Sequence, residues 1–331
     1  MDLCTQYLGF TLKNPLIASA SPMTADLDSI KTLEDNGIAA VVMHSLFEEQ
    51  INHEAHELDH FLYKNNETSA EAVDFFQDDL CFDNIEADDY LQEIENTKRS
   101  VAVPVIASLN GVSAGGWAKY AKKLQEAGAD ALELNITYIP TSVHLSGLEV
   151  EKMYVDTVQT VKKEISIPLN LKMNAYFSNP ANMAKQFVDA GACGLTLFDN
   201  PANVDIDLAE LAPLHEANTT TSKDLSESLR WCAILYKQLR ASLCANTGIH
   251  TAPDLLKAIM SGADAAAIAS VLLQNGHGQV AAILQQLRQW MEENEYASIE
   301  QMKGSISLRH SSNPAAFERN SYMQALNSYR I

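Results

Sequence analysis

The chain has 331 residues, 47% of them hydrophobic, and a formal charge of −20. That length and apolar content suit one large core, and the charge repels nucleic acid and anionic membrane surfaces, so neither is expected as a partner. No run reaches the roughly 18 apolar residues that suggest a membrane span, and Met1–Gln6 carries neither a basic region nor an apolar stretch.

The first predicted element is a small hairpin over Leu3–Lys13 with Gly9 near its turn, placed to close the bottom of a barrel. A repeating unit follows. Four helical patterns end in glycine and pass straight into an apolar run: Asn36-Gly37-Ile38-Ala39, Ala127-Gly128-Ala129-Asp130, Ala190-Gly191-Ala192-Cys193 and Ser261-Gly262-Ala263-Asp264. A glycine past the last turn takes the left-handed conformation without a Cβ clash, which stops the helix. The apolar runs are short and nearly continuous, as in parallel strands buried on both faces. Eight are read: Pro15–Ala20, Ala40–His44, Pro104–Leu109, Ala131–Ile136, Pro168–Met173, Gly194–Phe198, Ser242–Ala245 and Ala265–Ser270. Amphipathic stretches such as Gly115–Ala127, Glu149–Lys163, Pro180–Ala190 and Asp254–Ser261 lie between them. Eight strand–helix units, with no GxGxxG after the first strand, predict a (β/α)8 TIM barrel rather than an open dinucleotide-binding sheet. The whole chain, 1–331, is read as one such domain.

Two segments stand outside that pattern. Between Phe47 and Thr97 the only basic residue is Lys64. Residues 46–98 are therefore expected to be an acidic insertion after the second strand, with short helices of its own and a solvated surface. His56-Glu57-Leu58-Asp59-His60 within it matches the zinc-protease pattern HExxH. No third ligand follows, so no metal site is expected. Residues 305–331 form a C-terminal tail. Asn313 and Pro314 there suit the N-cap and first position of a helix reaching Ala325. The five cysteines, Cys4, Cys81, Cys193, Cys232 and Cys244, are scattered without a CxxC pair, which fits a reducing, cytoplasmic setting.

In such a barrel the chemistry sits where the strands end. The strand ends supply Ala18-Ser19-Ala20, His44-Ser45, Asn110, Asn135 with Tyr138 beyond it, Lys172, Asp199, Thr247-Gly248 and Ala269-Ser270. Amides, hydroxyls and one lysine dominate, a set suited to hydrogen bonding a polar ring. The small residues after strands seven and eight suit a phosphate cradle of backbone N–H groups. Thr251-Ala252-Pro253-Asp254 resembles a capping box with Asp in the usual Glu or Gln place. Lys172 reads either as a group that contacts a flavin or as a Schiff-base lysine, since an unpaired cation inside a barrel is costly. Asn135 reads equally as a ligand group or as a satisfied structural amide.

These strand ends resemble the dihydroorotate dehydrogenase family of FMN barrels along nearly the whole chain. The likeness is carried by Asn14-Pro15-Leu16 with Ala18-Ser19-Ala20, by Ala127–Asn135, by Pro168–Lys172, and by Thr247-Gly248 and Ala269-Ser270. Ser45–Gln50, Tyr138–Thr141 and Asn313–Arg319 are similar to a divergent bacterial branch of it. The resemblance implies an FMN-dependent oxidoreductase of pyrimidine metabolism, acting on a small planar substrate and forming a homodimer. FMN would meet Ala18, Ser19, Ala20, Ser45, Asn110, Asn135, Lys172, Asp199, Thr247, Gly248, Ala269 and Ser270. Lys172, Asn135 and Tyr138 would act on the substrate. The chain departs from the family pattern at five points. Tyr138 stands where the family has a Cys or Ser base, Pro140 and Asp199 replace asparagines, His44 replaces a lysine, and Thr247 replaces a glycine. The Cβ of Thr247 is expected to crowd an anion. The competing readings are a barrel that has lost catalysis and a Schiff-base lyase.

Overall fold

Eight parallel strands close on themselves in the order β11-β12-β3-β4-β5-β6-β7-β8. They are β3 (Leu16–Ala18), β4 (Val41–Phe47), β5 (Val105–Asn110), β6 (Ala131–Asn135), β7 (Leu169–Met173), β8 (Gly194–Leu197), β11 (Ser242–Ala245) and β12 (Ala265–Ile268). The computed structural model describes residues 1–51, 87–112, 118–200, 203–208, 212–216 and 219–312, together with Pro314 and Asn327. The expected HExxH segment and the C-terminal helix after Asn313 lie outside the described residues.

The barrel is a (β/α)8 barrel with an antiparallel hairpin, β1 (Thr5–Tyr7) paired with β2 (Phe10–Leu12), across its bottom. Its outer layer comprises α1 (Leu27–Asp35), α2 (Ala87–Ser100), α3 (Ala118–Glu126), α4 (Gly147–Glu164), α5 (Pro180–Asp189), α6 (Ser226–Leu235), α7 (Ala252–Ser261), α8 (Ser270–Asn275), α9 (Gln279–Glu293) and α10 (Ile299–Met302). All four glycines read as helix stops have positive φ: 105° at Gly37, 99° at Gly128, 114° at Gly191 and 123° at Gly262. The Gly-Ala-Asp sequence has a second purpose. The carboxylate of Asp130, just ahead of β6, accepts the Val105 N–H that opens β5, at 2.7 Å. Asp264, just ahead of β12, does the same for Leu243 of β11 at 2.9 Å. Each aspartate satisfies a backbone donor at a strand start that would otherwise be left over. The capping box at α7 is present, with Asp254 accepting from the Thr251 N–H and Thr251 accepting from the Asp254 N–H.

The ends of the acidic stretch belong to the barrel. Leu46 and Phe47 lie within β4, and residues 87–98 belong to α2, which buries Tyr90 and Ile94 in the core. The acidic charge run thus starts within β4 and ends within α2, so its limits do not mark element boundaries. The segment after β8 carries a hairpin, β9 (Asn203–Asp207) with β10 (Ala212–Glu216).

Near the bottom, the C-terminal segment is clasped by Tyr236. A Cβ on Gly262 would lie 2.6 Å from its ring and one on Gly304 2.2 Å. Its hydroxyl donates to the Lys303 carbonyl at 3.1 Å.

Successive residues of a strand point to opposite faces, so every second residue enters the barrel. In the lower half these are Ile17, Val42, Ile106, Ala131, Cys244 and Ala265, sealed below by Tyr7, Leu8 and Leu12 of the hairpin. One step up the same strands they become Ser19, Ser45, Ser108, Glu133, Asn170, Thr196 and Asn246. The register keeps them level, pairing Ser45 with Ser108, Ser108 with Glu133, and Glu133 with Asn170. β4 joins this ring only after a bulge between Val42 and Ser45, which inserts one extra residue.

Candidate active site

The pocket at the C-terminal end of the barrel encloses about 770 Å³ including its open mouth. Its floor is Lys172, only 6% exposed. The ammonium Nζ lies 2.8 Å from Oε1 of Glu133 on the neighbouring strand. The other oxygen of Glu133 accepts from Asn170 Nδ2 at 2.9 Å and from Thr196 Oγ1 at 3.1 Å. Burial alone would push the lysine pKa down. The Glu133 charge and hydrogen bond, with Asp199 beyond them, outweigh it and hold Lys172 above its usual value. The floor is therefore an ion pair, fixed on three strands, and not a lone cation.

One wall is set by amides and hydroxyls. Asn246 donates to the Phe198 carbonyl at 2.7 Å and accepts from Ser19 Oγ at 3.5 Å, which fixes the orientation of its amide. At the far end are Thr247, Gly248, Ala269 and Ser270. Thr220 ties that end together. Its hydroxyl accepts the Gly248 N–H at 3.3 Å and its own N–H donates to Ser270 Oγ at 3.0 Å. Gly248 has φ +71°, and a Cβ there would sit 2.3 Å from the Leu225 nitrogen, so the position demands glycine. Thr247 has φ +68°, a strained conformation for a β-branched residue. Its hydroxyl lies 3.4 Å from the Asp224 carbonyl and 3.5 Å from Ser228 Oγ, neither of which lines the pocket. Its hydroxyl is thus held away from the pocket, while the residue itself stays in the pocket wall.

At the rim, Asp199 lines the pocket and accepts from Thr137 Oγ1 at 3.3 Å. The same hydroxyl lies 3.2 Å from Asn135 Oδ1. The donor set as a whole fits an elongated, phosphate-bearing group. A polar ring placed there would meet Lys172, Ser19 and Asn246, and an anion would meet the small residues around Gly248 and Ser270.

The structure does not bring every expected residue to this pocket. Ser19, Ala20, Lys172, Asp199, Thr247, Gly248, Ala269 and Ser270 line it. Ala18 does not, because its side chain faces the helix layer in the main core. Ser45 is held by Ser108 at 2.8 Å within the barrel, and Asn110 and Asn135 end their strands beside the pocket without lining it. His44 is turned out by the bulge. Its ring packs edge-on against Tyr90 and its Nε2 lies 3.6 Å from Glu93, so it cannot stand in for a lysine at the pocket. Tyr138 lies in the loop after β6 and is also not a lining residue. Its N–H donates to the Tyr154 hydroxyl, which lies 3.4 Å from the Tyr138 carbonyl as well. Asn174 donates to that hydroxyl at 3.0 Å, and burial raises the Tyr154 pKa.

Sequence reasoning missed Glu133, Asn170, Thr196, Thr220 and Tyr154. A signal existed for Glu133: it shares the inward parity of Asn135, and a buried lysine on the next strand needs a counter-ion. Thr220 lies in a loop with no periodicity to place it. Among the described residues, no three His, Cys, Asp or Glu side chains gather as a metal site, and no helix is long and apolar enough to cross a membrane.

Comparison with known proteins gives a consistent result. The family model described as dihydroorotate dehydrogenase matches residues 2–291. The chain is 27% identical to the dihydroorotate dehydrogenase B (NAD(+)) catalytic subunit of Thermoplasma acidophilum, over 93% of this chain and 99% of that protein. The corresponding protein of Thermoplasma volcanium is 24% identical over 92% and 98%. The NAD-dependent dihydropyrimidine dehydrogenase subunit PreA of Escherichia coli K12 is 21% identical over 92% of this chain and 76% of its own length.

Proposed function

We propose, from the premise that the chain belongs to the dihydroorotate dehydrogenase family, that it is an FMN-dependent dehydrogenase acting on a small planar substrate. The observation that carries this reading is one pocket that joins the buried Lys172–Glu133 pair to the Gly248–Ser270 end. FMN, when bound, supplies a two-electron acceptor or donor for a hydride at a carbon of the substrate. The protein's own part is positioning. Lys172, kept protonated by Glu133, offers a fixed donor to the ring of the cofactor. Ser19 and Asn246 hold its polar edge, and the backbone around Gly248 and Ser270 holds its phosphate. Asn135 orients the substrate. Tyr138, next in the chain to Thr137, is assigned the proton exchange, with Tyr154 fixing its backbone. A homodimer and a cytoplasmic setting, both implied by the family likeness, belong to this proposal.

A Schiff-base role for Lys172 is disfavoured by the same geometry. A nucleophilic amine must be unprotonated, and Glu133 stabilises the ammonium.

The test is titration of the purified protein with FMN, followed in the visible spectrum and by quenching of flavin fluorescence. Stoichiometric uptake is expected. Lys172→Met should alter the bound-flavin spectrum and lower turnover on the order of 10²-fold. No uptake of FMN, or a variant with unchanged spectrum and turnover, would sink the assignment.

A further inference from the structure

We propose that a cavity at the bottom of the barrel, at the opposite end from the catalytic pocket, is a second binding site, built for a small phosphate monoester. This site is independent of the flavin-dependent reading above.

The cavity encloses about 940 Å³ including its open mouth. Its walls come from the hairpin at Gln6, the loop from α6 into β11, Asp264 just ahead of β12, and the end of α10. Three cations line it, Lys237, Arg240 and Lys303, against two carboxylates, Asp264 and Glu300. Lys303 takes both carboxylates. Its Nζ lies 2.9 Å from Asp264 Oδ1 and 2.6 Å from Glu300 Oε2. Among the described residues, no carboxylate lies within ion-pair distance of Lys237 or Arg240. The chain has 43 acidic and 23 basic residues, yet this cavity keeps an excess of positive charge from one loop. A protein that repels anions overall therefore attracts them here.

Two further observations point to a ligand. Lys237 has φ +59°. A cation suits the C-terminal end of α6, but a left-handed backbone favours glycine, so the lysine is kept at a cost in strain. Its ammonium sits 5.4 Å from the centroid of the Tyr236 ring, which lines the cavity. Second, the Ser242 hydroxyl accepts the Leu8 N–H at 2.9 Å, which leaves its own hydrogen to donate. Ammonium, guanidinium and hydroxyl are three donor groups for the three terminal oxygens of a phosphate monoester, and a guanidinium can hold two of them at once. Near neutral pH that group carries close to two negative charges, which match the two cations. A carboxylate offers one charge and two oxygens and fits less well. Leu239 and the Tyr236 ring give an apolar wall to the organic part of the ligand.

The experiment titrates the full chain with phenyl phosphate by calorimetry, with FMN in excess so that the Gly248–Ser270 end is occupied. Uptake at one site is expected, with benzoate weaker on the order of tenfold. Arg240→Ala should weaken phenyl phosphate on the order of tenfold. Lys237→Gly should weaken it similarly while raising Tm, since it removes a ligand contact and the left-handed strain together. A lysine that only ends a helix would leave the titration unmoved. No uptake of phenyl phosphate, or uptake unchanged in either variant, overturns the proposal and leaves the flavin reading standing. A protein that takes up no FMN overturns that reading alone, because the two variants still locate the phosphate at the bottom of the barrel.

Discussion

The lower and upper halves of the barrel interior are built on the same strands and put to opposite uses. Below, Ile17, Val42, Ile106, Ala131, Cys244 and Ala265 pack against Tyr7, Leu8 and Leu12, and the gain is burial of apolar area. Above, Glu133, Asn170, Lys172 and Thr196 fill the same cylinder with charge and hydrogen bonds. A buried ion pair seldom outweighs the cost of taking both ions out of water, so apolar residues would stabilise that half at least as well. The upper half is retained for what it presents to the pocket.

That contrast is broken most directly by leaving one charge of the pair alone. Glu133→Gln strands the Lys172 ammonium and is expected to cost about 3–5 kcal/mol in urea unfolding. Glu133→Leu combined with Lys172→Met should recover most of the loss while changing the spectrum of added FMN. If the double variant stays as unstable as the single one, the upper half is structural after all. The lower half should give the opposite signature. Tyr7→Ala removes the fully buried hairpin ring and should cost about 3 kcal/mol in the same assay, with FMN affinity unchanged.

A smaller effect is expected at Asp254, behind the Gly248 loop. Burial alone would raise its carboxyl pKa. Hydrogen bonds from Ser222, Thr251 and the His250 N–H hold it below its usual value instead. A carboxyl lowered in the folded state contributes stability that is present above its unfolded pKa and lost as pH falls through the folded one. Asp254→Asn should therefore cost about 1–2 kcal/mol near neutral pH. Its urea midpoint should meet the wild-type curve only below the ordinary carboxylate range. The smallest change sharpens the comparison from the pocket side. Thr247→Gly relieves the left-handed strain and should stabilise by about 1 kcal/mol, seen as a raised Tm.

Much of the scaffold is legible in the sequence, because the strands are short continuous apolar runs and four of the eight follow a helix-stopping glycine. Ser242–Ala245 and Gly194–Leu197 fall where those signals placed them. Lys172 is legible as costly, but its pairing with Glu133 depends on which parity enters the barrel. His44 and Ala18 were misplaced for the same reason. A bulge changes parity at one, and the register of a three-residue strand decides it at the other. Tyr154 belongs to a helix, and its reach to the Tyr138 loop is a tertiary fact that no local pattern encodes.

The Tyr236 clasp carries a consequence for how such sequences diverge. Its ring occupies the space that any side chain at position 262 or 304 would need. The three positions can drift only together, with the aromatic shrinking before either glycine grows. Lineages that keep a large residue at 236 should hold both glycines, while those with a small one there should show both sites freed. Covariation among three residues distant in the chain would then report a single ring.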